Sequence, residues 1–211
     1  MNKLEVQRRV LQYGKPLDLD KFKWDEDTKT FSTSENNLVL DFRGIYNVTF
    51  NTGSFCTFKT GGYCIFKTGF DCTFKTGDYC TFDTGSYCTF DTGSYCIFKT
   101  VDYCTFNTRC GCTFETGSCC AFNIGDYCTF NTGDYCTFNT ESDCTFKTGG
   151  NSVVIRRDVY EVIELKEGQT IRLNNTELKG YKVIEDTKKP VTLELTADQL
   201  SKINELLKED K

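Results

Sequence analysis

A phenylalanine recurs every eighth residue from Phe50 to Phe146, thirteen times without a break. So short a period leaves room for one strand and one corner per unit, and such a unit cannot bury its own apolar face. It gains a core by stacking on its neighbours. The period therefore predicts a repeat architecture before any other residue is read.

Counting the unit from Val48, position 1 is Val48 and then Cys56, Cys64, Cys72, Cys80, Cys88, Cys96, Cys104, Cys112, Cys120, Cys128, Cys136 and Cys144. Position 3 is Phe50, then Phe58, Phe66, Phe74, Phe82, Phe90, Phe98, Phe106, Phe114, Phe122, Phe130, Phe138 and Phe146. Position 5 is Thr except at Ile124, position 6 is mostly Gly, and position 8 is often Tyr. Strand alternation sends positions 1, 3 and 5 inward and positions 2 and 4 outward. Thr, Phe and Tyr suit a pleated surface, and Gly at position 6 is expected to let the backbone turn. Each unit then reads as about five residues of strand and three of corner.

Position 4 faces water, so its charges test how many units complete one coil. With two units per coil, vertical neighbours are sixteen residues apart: Lys67/Asp83, Asp83/Lys99, Lys99/Glu115 and Lys75/Asp91 are opposite pairs, and Lys59/Lys75 is the like pair. Three or four units per coil balance like against opposite pairs. Each pair contributes only ~0.2–1 kcal/mol, yet the sum favours two. The expected fold is all-β, a β-solenoid with about two octapeptides per coil and about six and a half coils. The alternative is an antiparallel meander, with each corner a hairpin loop and the sheet closing as a barrel.

Three segments are expected. Residues 1–47 form an N-terminal cap: an amphipathic helix over 2–13 ended by Gly14, a hairpin with Phe22-Lys23-Trp24 and Lys29-Thr30-Phe31 flanking Asp25 to Thr28, and a strand from Asn37 to Phe42. Residues 48–151 are the solenoid. Residues 152–211 begin with a degenerate copy at Ser152-Val153-Val154 and form a β-rich module. Its strands are Val159–Leu165, Thr170–Leu173, Tyr181–Ile184 and Val191–Leu195. A terminal helix follows, capped by Thr196 and Gln199, with Leu200, Ile203, Leu206 and Leu207 as its apolar stripe. At about sixty residues this module is near the lower limit for a core of its own, so it is expected to pack on the solenoid end.

The chain has no His. That removes His-based acid–base catalysis, Ser-His-Asp and Cys-His nucleophiles, and His-containing zinc sites. No catalytic residue, cofactor or metal site is assigned, and the expectation is a protein that is not an enzyme. A formal charge of −5 argues against nucleic-acid binding by general phosphate attraction. No apolar run is long enough to cross a bilayer, and the first residues lack a secretory apolar region. The expected place is therefore the cytoplasm of a host cell, or a virion.

The cysteine column has three readings: thiophilic metal ligands, inter-coil disulfides, or buried thiols packing as small hydrophobes. Phe separates successive cysteines, which weakens the first, and no secretion signal supports the second. Cys110 at position 7 and Cys119 at position 8 break the column and are candidate exposed thiols at successive corners. Corner glycines are also lost nearby, at Val101, Arg109 and Glu141. Asp71, Asp78, Asp102, Asp126, Asp134 and Asp143 lack calcium-roll spacing and read as solvated turn residues. The position-2 threonines invite comparison with ice-binding solenoids, but Ile65, Ile97 and Ala121 interrupt them.

The octapeptide Cys128-Thr129-Phe130-Asn131-Thr132-Gly133-Asp134-Tyr135 resembles arrays in uncharacterised proteins of phages and other viruses. The lead-in Lys15 to Phe42 and the β-rich tail are similar to parts of such proteins. The resemblance implies a viral or prophage origin and carries no activity. A small residue, one outward residue and then Phe also resembles the ladder logic of pentapeptide-repeat proteins, from which this chain departs by three added residues per unit. The functional expectation is a non-catalytic structural and interaction scaffold that attaches to a protein partner, or to itself, through the C-terminal module. The alternative is a surface that binds an extended repetitive ligand, polysaccharide or ice.

Overall fold

The computed structural model describes residues 1–184. The strand expected at Val191–Leu195 and the helix from Thr196 lie outside the described residues. The chain is an all-β solenoid of about eight turns. Each coil lays one strand in each of two facing sheets, and strands sixteen residues apart pair in parallel: Thr81 opposite Ile97, Phe82 opposite Phe98, Asp83 opposite Lys99. Parallel pairing between successive coils excludes the antiparallel barrel. Sheet 1 carries Leu38–Phe42, Thr57–Thr60, Thr73–Lys75, Thr89–Asp91, Thr105–Asn107, Ala121–Asn123, Thr137–Thr140 and Ser152–Arg156. Sheet 2 carries Thr30–Ser32, Thr49–Asn51, Ile65–Lys67, Thr81–Asp83, Ile97–Lys99, Thr113–Glu115, Thr129–Asn131 and Thr145–Lys147.

The parallel stack thus extends past the repeat at both ends. Phe31 and Leu40 sit in register with Phe50 and Phe58, and Val154 with Phe138. Antiparallel strands then close each sheet: Lys23–Asp25 and Val10–Gln12 at one end, Glu161–Leu165 and Thr170–Leu173 at the other. The expected helix over 2–13 is cut to Lys3–Gln7, where Asn2 and Glu5 form a capping box. Val10 is drawn instead into the strand that covers Leu38–Phe42, and Tyr13-Gly14, both at positive φ, turn it back into Lys15–Pro16. Two residues at positive φ make the tight hairpin turn whose twist suits flanking strands. Pairing an open sheet edge outweighs helix propensity here.

Inside the rod the phenylalanines form two columns. Phe82 and Phe98 stack at 4.8 Å with planes 2° apart. Phe82 meets Phe90 of the other column edge-on, at 5.2 Å and 76°. This alternation of offset stacks and edge contacts repeats along the coils, each contact adding ~0.5–1.5 kcal/mol beyond area burial. Position 5 closes the core rim, where Thr84, Thr92 and Thr100 are buried. The strands themselves are mostly three residues, shorter than expected.

The corners correct one reading. Glycine at position 6 does not adopt the left-handed conformation; position 8 does, with φ near +58° at Tyr79, Tyr95 and Tyr103. Glycine is required at position 6 by close approach: a Cβ on Gly77 would stand 2.8 Å from the Gly62 nitrogen of the coil before. Val101 and Arg109 occupy this position with their rungs' backbone bonds kept, Gly117 N–H to Val101 O at 3.0 Å and Arg109 N–H to Gly93 O at 3.4 Å.

Candidate interaction surfaces

All twelve position-1 cysteines from Cys56 to Cys144 and all position-3 phenylalanines are buried, and all fourteen cysteines are free thiols. Their chemistry is hydrogen bonding. The position-1 N–H sits where the ladder has no carbonyl for it, and at Cys56, Cys80, Cys96, Cys104, Cys112 and Cys128 the thiol one coil later accepts it: Cys80 N–H to Cys96 Sγ at 3.4 Å, Cys96 N–H to Cys112 Sγ at 3.4 Å. Each thiol in turn points at carbonyls, as Cys96 does at Ser94 O, 3.6 Å, and Gly77 O, 3.7 Å. At the last rung Ser152 replaces cysteine and its hydroxyl takes the same bond, from Cys136 N–H at 3.1 Å. The Cys104 thiol, with burial, pushes Cys120 up to about 11, and the Cys80 thiol, with burial, raises Cys64. Among the described residues no group of three or more Cys, Asp or Glu is arranged to hold a metal ion.

Cys110 and Cys119 fall on opposite edges of the rod, following a sheet 1 strand and a sheet 2 strand respectively. Cys110 is half-buried and Cys119 exposed. Cys119 takes the left-handed position otherwise held by tyrosine, one coil after Tyr103. The tyrosines themselves stack along the edges, Tyr63 on Tyr79 at 5.0 Å, Tyr79 on Tyr95 at 5.1 Å and Tyr87 on Tyr103 at 5.1 Å. Beside Tyr46, Tyr63 and Tyr79 runs a surface groove of about 480 Å³ bordered by Arg43, Lys59 and Lys75.

The corner aspartates are more than solvated turns. Asp78 Oδ1 accepts the N–H of Ser94 at 2.8 Å, Asp102 Oδ1 that of Ser118 at 2.7 Å, and Asp134 Oδ1 that of Gly150 at 2.8 Å. Ser54 and Ser118 do the same for Phe70 and Asp134, at 3.1 and 3.0 Å. Position 7 is therefore a second inter-coil ladder, and its Asp/Ser preference is the signal that marks it. Position 8 left a signal as well. Where it is not aromatic it is Asp71, Gly111, Asp143 or Asn151, residue types that tolerate left-handed backbone, with Cys119 the exception.

The two outward faces differ. On sheet 1 the position-4 side chains bond to one another in a line: Lys75 Nζ to Asp91 at 3.7 Å, Asn107 to Asp91 at 3.3 Å, Asn123 to Asn107 at 3.1 Å and Asn139 to Asn123 at 3.3 Å. Beside it stand Thr57, Thr73, Thr89, Thr105 and Thr137, broken only by Ala121, because Ile65 and Ile97 belong to sheet 2. On sheet 2 the column Lys67, Asp83, Lys99, Glu115 is exposed and in register. Among the described residues no ion pair joins these four. Of the opposite pairs expected from spacing, Lys75/Asp91 alone closes to a salt bridge.

No protein-family model, no curated protein and no solved structure matches this chain.

Proposed function

We propose that this chain is a non-catalytic structural and interaction protein, a rigid octapeptide-repeat scaffold of phage or viral origin that joins a protein partner or further copies of itself. One observation carries the reading: the stacked phenylalanine core runs unbroken from Phe50 to Phe146, so the interior is committed to stiffness along the repeat. About eight turns at ~4.8 Å make it about 38 Å long. Recognition then belongs to the outward columns and the ends. Deleting one coil, Cys80 to Tyr95, tests this. A scaffold refolds with intact circular dichroism and a length shorter by about 5 Å in small-angle scattering; a chain that collapses or unfolds refutes it.

A second reading draws on the sheet 1 face. Its threonine column and the amide line beside it repeat at rung spacing with a single interruption at Ala121, which suits an extended ligand with repeating hydroxyls, polysaccharide or ice. Glycan-array binding or ice shaping that is lost in Thr89→Tyr would support it, and silence in both assays would remove it.

A further inference from the structure

The sheet 2 face differs from sheet 1 in one respect that bears on partners: its charges alternate and stay unsatisfied. Read along the rod, its position-4 column is Asn51, Lys67, Asp83, Lys99, Glu115, Asn131 and Lys147, with Ser32 in register before Asn51. Reversed, the stretch between Asn51 and Asn131 reads Asn131, Glu115, Lys99, Asp83, Lys67, Asn51. Laid against itself about the midpoint between Asp83 and Lys99, each charge from Lys67 to Glu115 meets its opposite and Asn51 meets Asn131, with Lys147 and Ser32 facing each other outside this set. Lys67 faces Glu115, Asp83 faces Lys99, and Asn51 faces Asn131, each pairing occurring twice.

We propose that the sheet 2 face is a self-association surface, on which a second copy of this chain packs face to face and antiparallel. The two-fold axis lies along the strand direction, between the rungs of Asp83 and Lys99. Rotation about that axis reverses the rod but leaves position 4 over position 4, so the column meets its own reverse. It is the isologous arrangement of a closed dimer. The position-2 column follows the same operation, setting Ile97 of each copy against Thr81 of the other and Ile65 against Thr113. Ile65 and Ile97 are the exposed aliphatic side chains of the six rungs from Asn51 to Asn131, 42% and 53% accessible. Packed sheets stand ~10 Å apart, within reach of a lysine and a carboxylate extended toward each other. The like face on sheet 1 offers no such match, since Lys75 and Asp91 are already paired and the rungs beyond are amides.

The patch is narrow, three strand residues wide over the six rungs from Asn51 to Asn131. It buries under about 1,200 Å² in total, the range of weak, salt-sensitive encounters. Dissociation constants on the order of tens of micromolar are expected. The inference rests on the scaffold reading and names its self-association surface; the two fail separately, because the coil deletion is read by circular dichroism and length while charge reversal is read by association of a full-length rod.

Sedimentation velocity at low ionic strength, well above that concentration, decides it. The wild-type chain forms dimers that dissociate as salt rises. D83K sets lysine against Lys99 and K99D sets aspartate against Asp83, so each alone weakens association about tenfold or more. An equimolar mixture of D83K and K99D restores the dimer, as does the double variant D83K/K99D. That double variant leaves like neighbours within the chain, Lys67 beside the new lysine and the new aspartate beside Glu115, so a purely intramolecular role predicts the reverse result. A second measurement needs no variant. Zero-length carboxyl–amine crosslinking should join Lys67 to Glu115, which lie three rungs, about 14 Å, apart in one chain and can meet only between copies. A wild-type chain monomeric at all concentrations, single variants that associate normally, a double variant that stays monomeric, or crosslinked dimers without the Lys67–Glu115 link would each overturn the proposal.

Discussion

Replacing Cys96 separates two roles that a buried cysteine can have. Cys96 is wholly buried, accepts the N–H of Cys80 at 3.4 Å and points its own hydrogen at Ser94 O and Gly77 O. Cys96→Ala removes the acceptor and leaves a buried N–H unpaired, which costs about 1–3 kcal/mol. It also removes buried sulfur and opens a small void, worth roughly 1 kcal/mol more. The sum is about 2–4 kcal/mol, or roughly 4–16 °C in melting temperature for a chain of this size. Cys96→Val refills the space without an acceptor and should lose about 1–3 kcal/mol. Cys96→Ser keeps an acceptor, as Ser152 does for Cys136, and should be the mildest of the three. Thermal unfolding under reducing conditions ranks the variants, and amide exchange at Cys80 reports the bond itself. If the valine variant melts at or above the wild type and Cys80 exchanges no faster, the thiol is only filler and the reasoning fails.

Three further outcomes are expected. Cys120 titrates at about 11 against an ordinary thiol value of 9.0; its stabilising contribution is complete below pH 9 and declines as pH rises toward 11, because the unfolded thiol gives up its proton first. Urea midpoints measured across that window should fall, and a flat profile would contradict a buried, protonated Cys120. Gly77→Ala brings a Cβ to 2.8 Å from the Gly62 backbone nitrogen and should cost about 1–3 kcal/mol, measurable as a lower urea midpoint with unchanged slope. Arg156 is fully buried, pairs with Asp158 at 2.5 Å and donates to Leu178 O at 2.7 Å. Arg156→Leu strands a carboxylate at about 3–5 kcal/mol and should expose the segment 174–180 to limited proteolysis while the central coils stay protected.

Much of the core was readable because its signals are local and periodic. Phe at every eighth residue, with outward residues either side, assigns the inward face directly, and the alternating charges of position 4 are enough to choose two units per coil. The corners were harder. Glycine at position 6 suggested a turn by backbone freedom, whereas Gly77 is small because the coil before it passes within a Cβ's reach. Tyr79 and its equivalents bear the left-handed backbone, a role that tyrosine's own preferences do not announce. The N-terminal helix was overstated because Val10 has equal claim to a helix stripe and to a sheet edge. The open edge of Leu38–Phe42, distant in sequence, decides between them.

What the amino-acid order determined alone is the repeat, its inward and outward positions and its coil length, since each follows from neighbours along the chain. The tertiary structure decided what the letters do at those positions. Stacking brings residues sixteen apart to within one rung, and at that distance a thiol becomes an acceptor, a turn aspartate becomes a link between coils, and Ile65 and Ile97 leave the threonine column for the other face. Those contacts arise from the sum of strand, corner and coil, and no single octapeptide contains them.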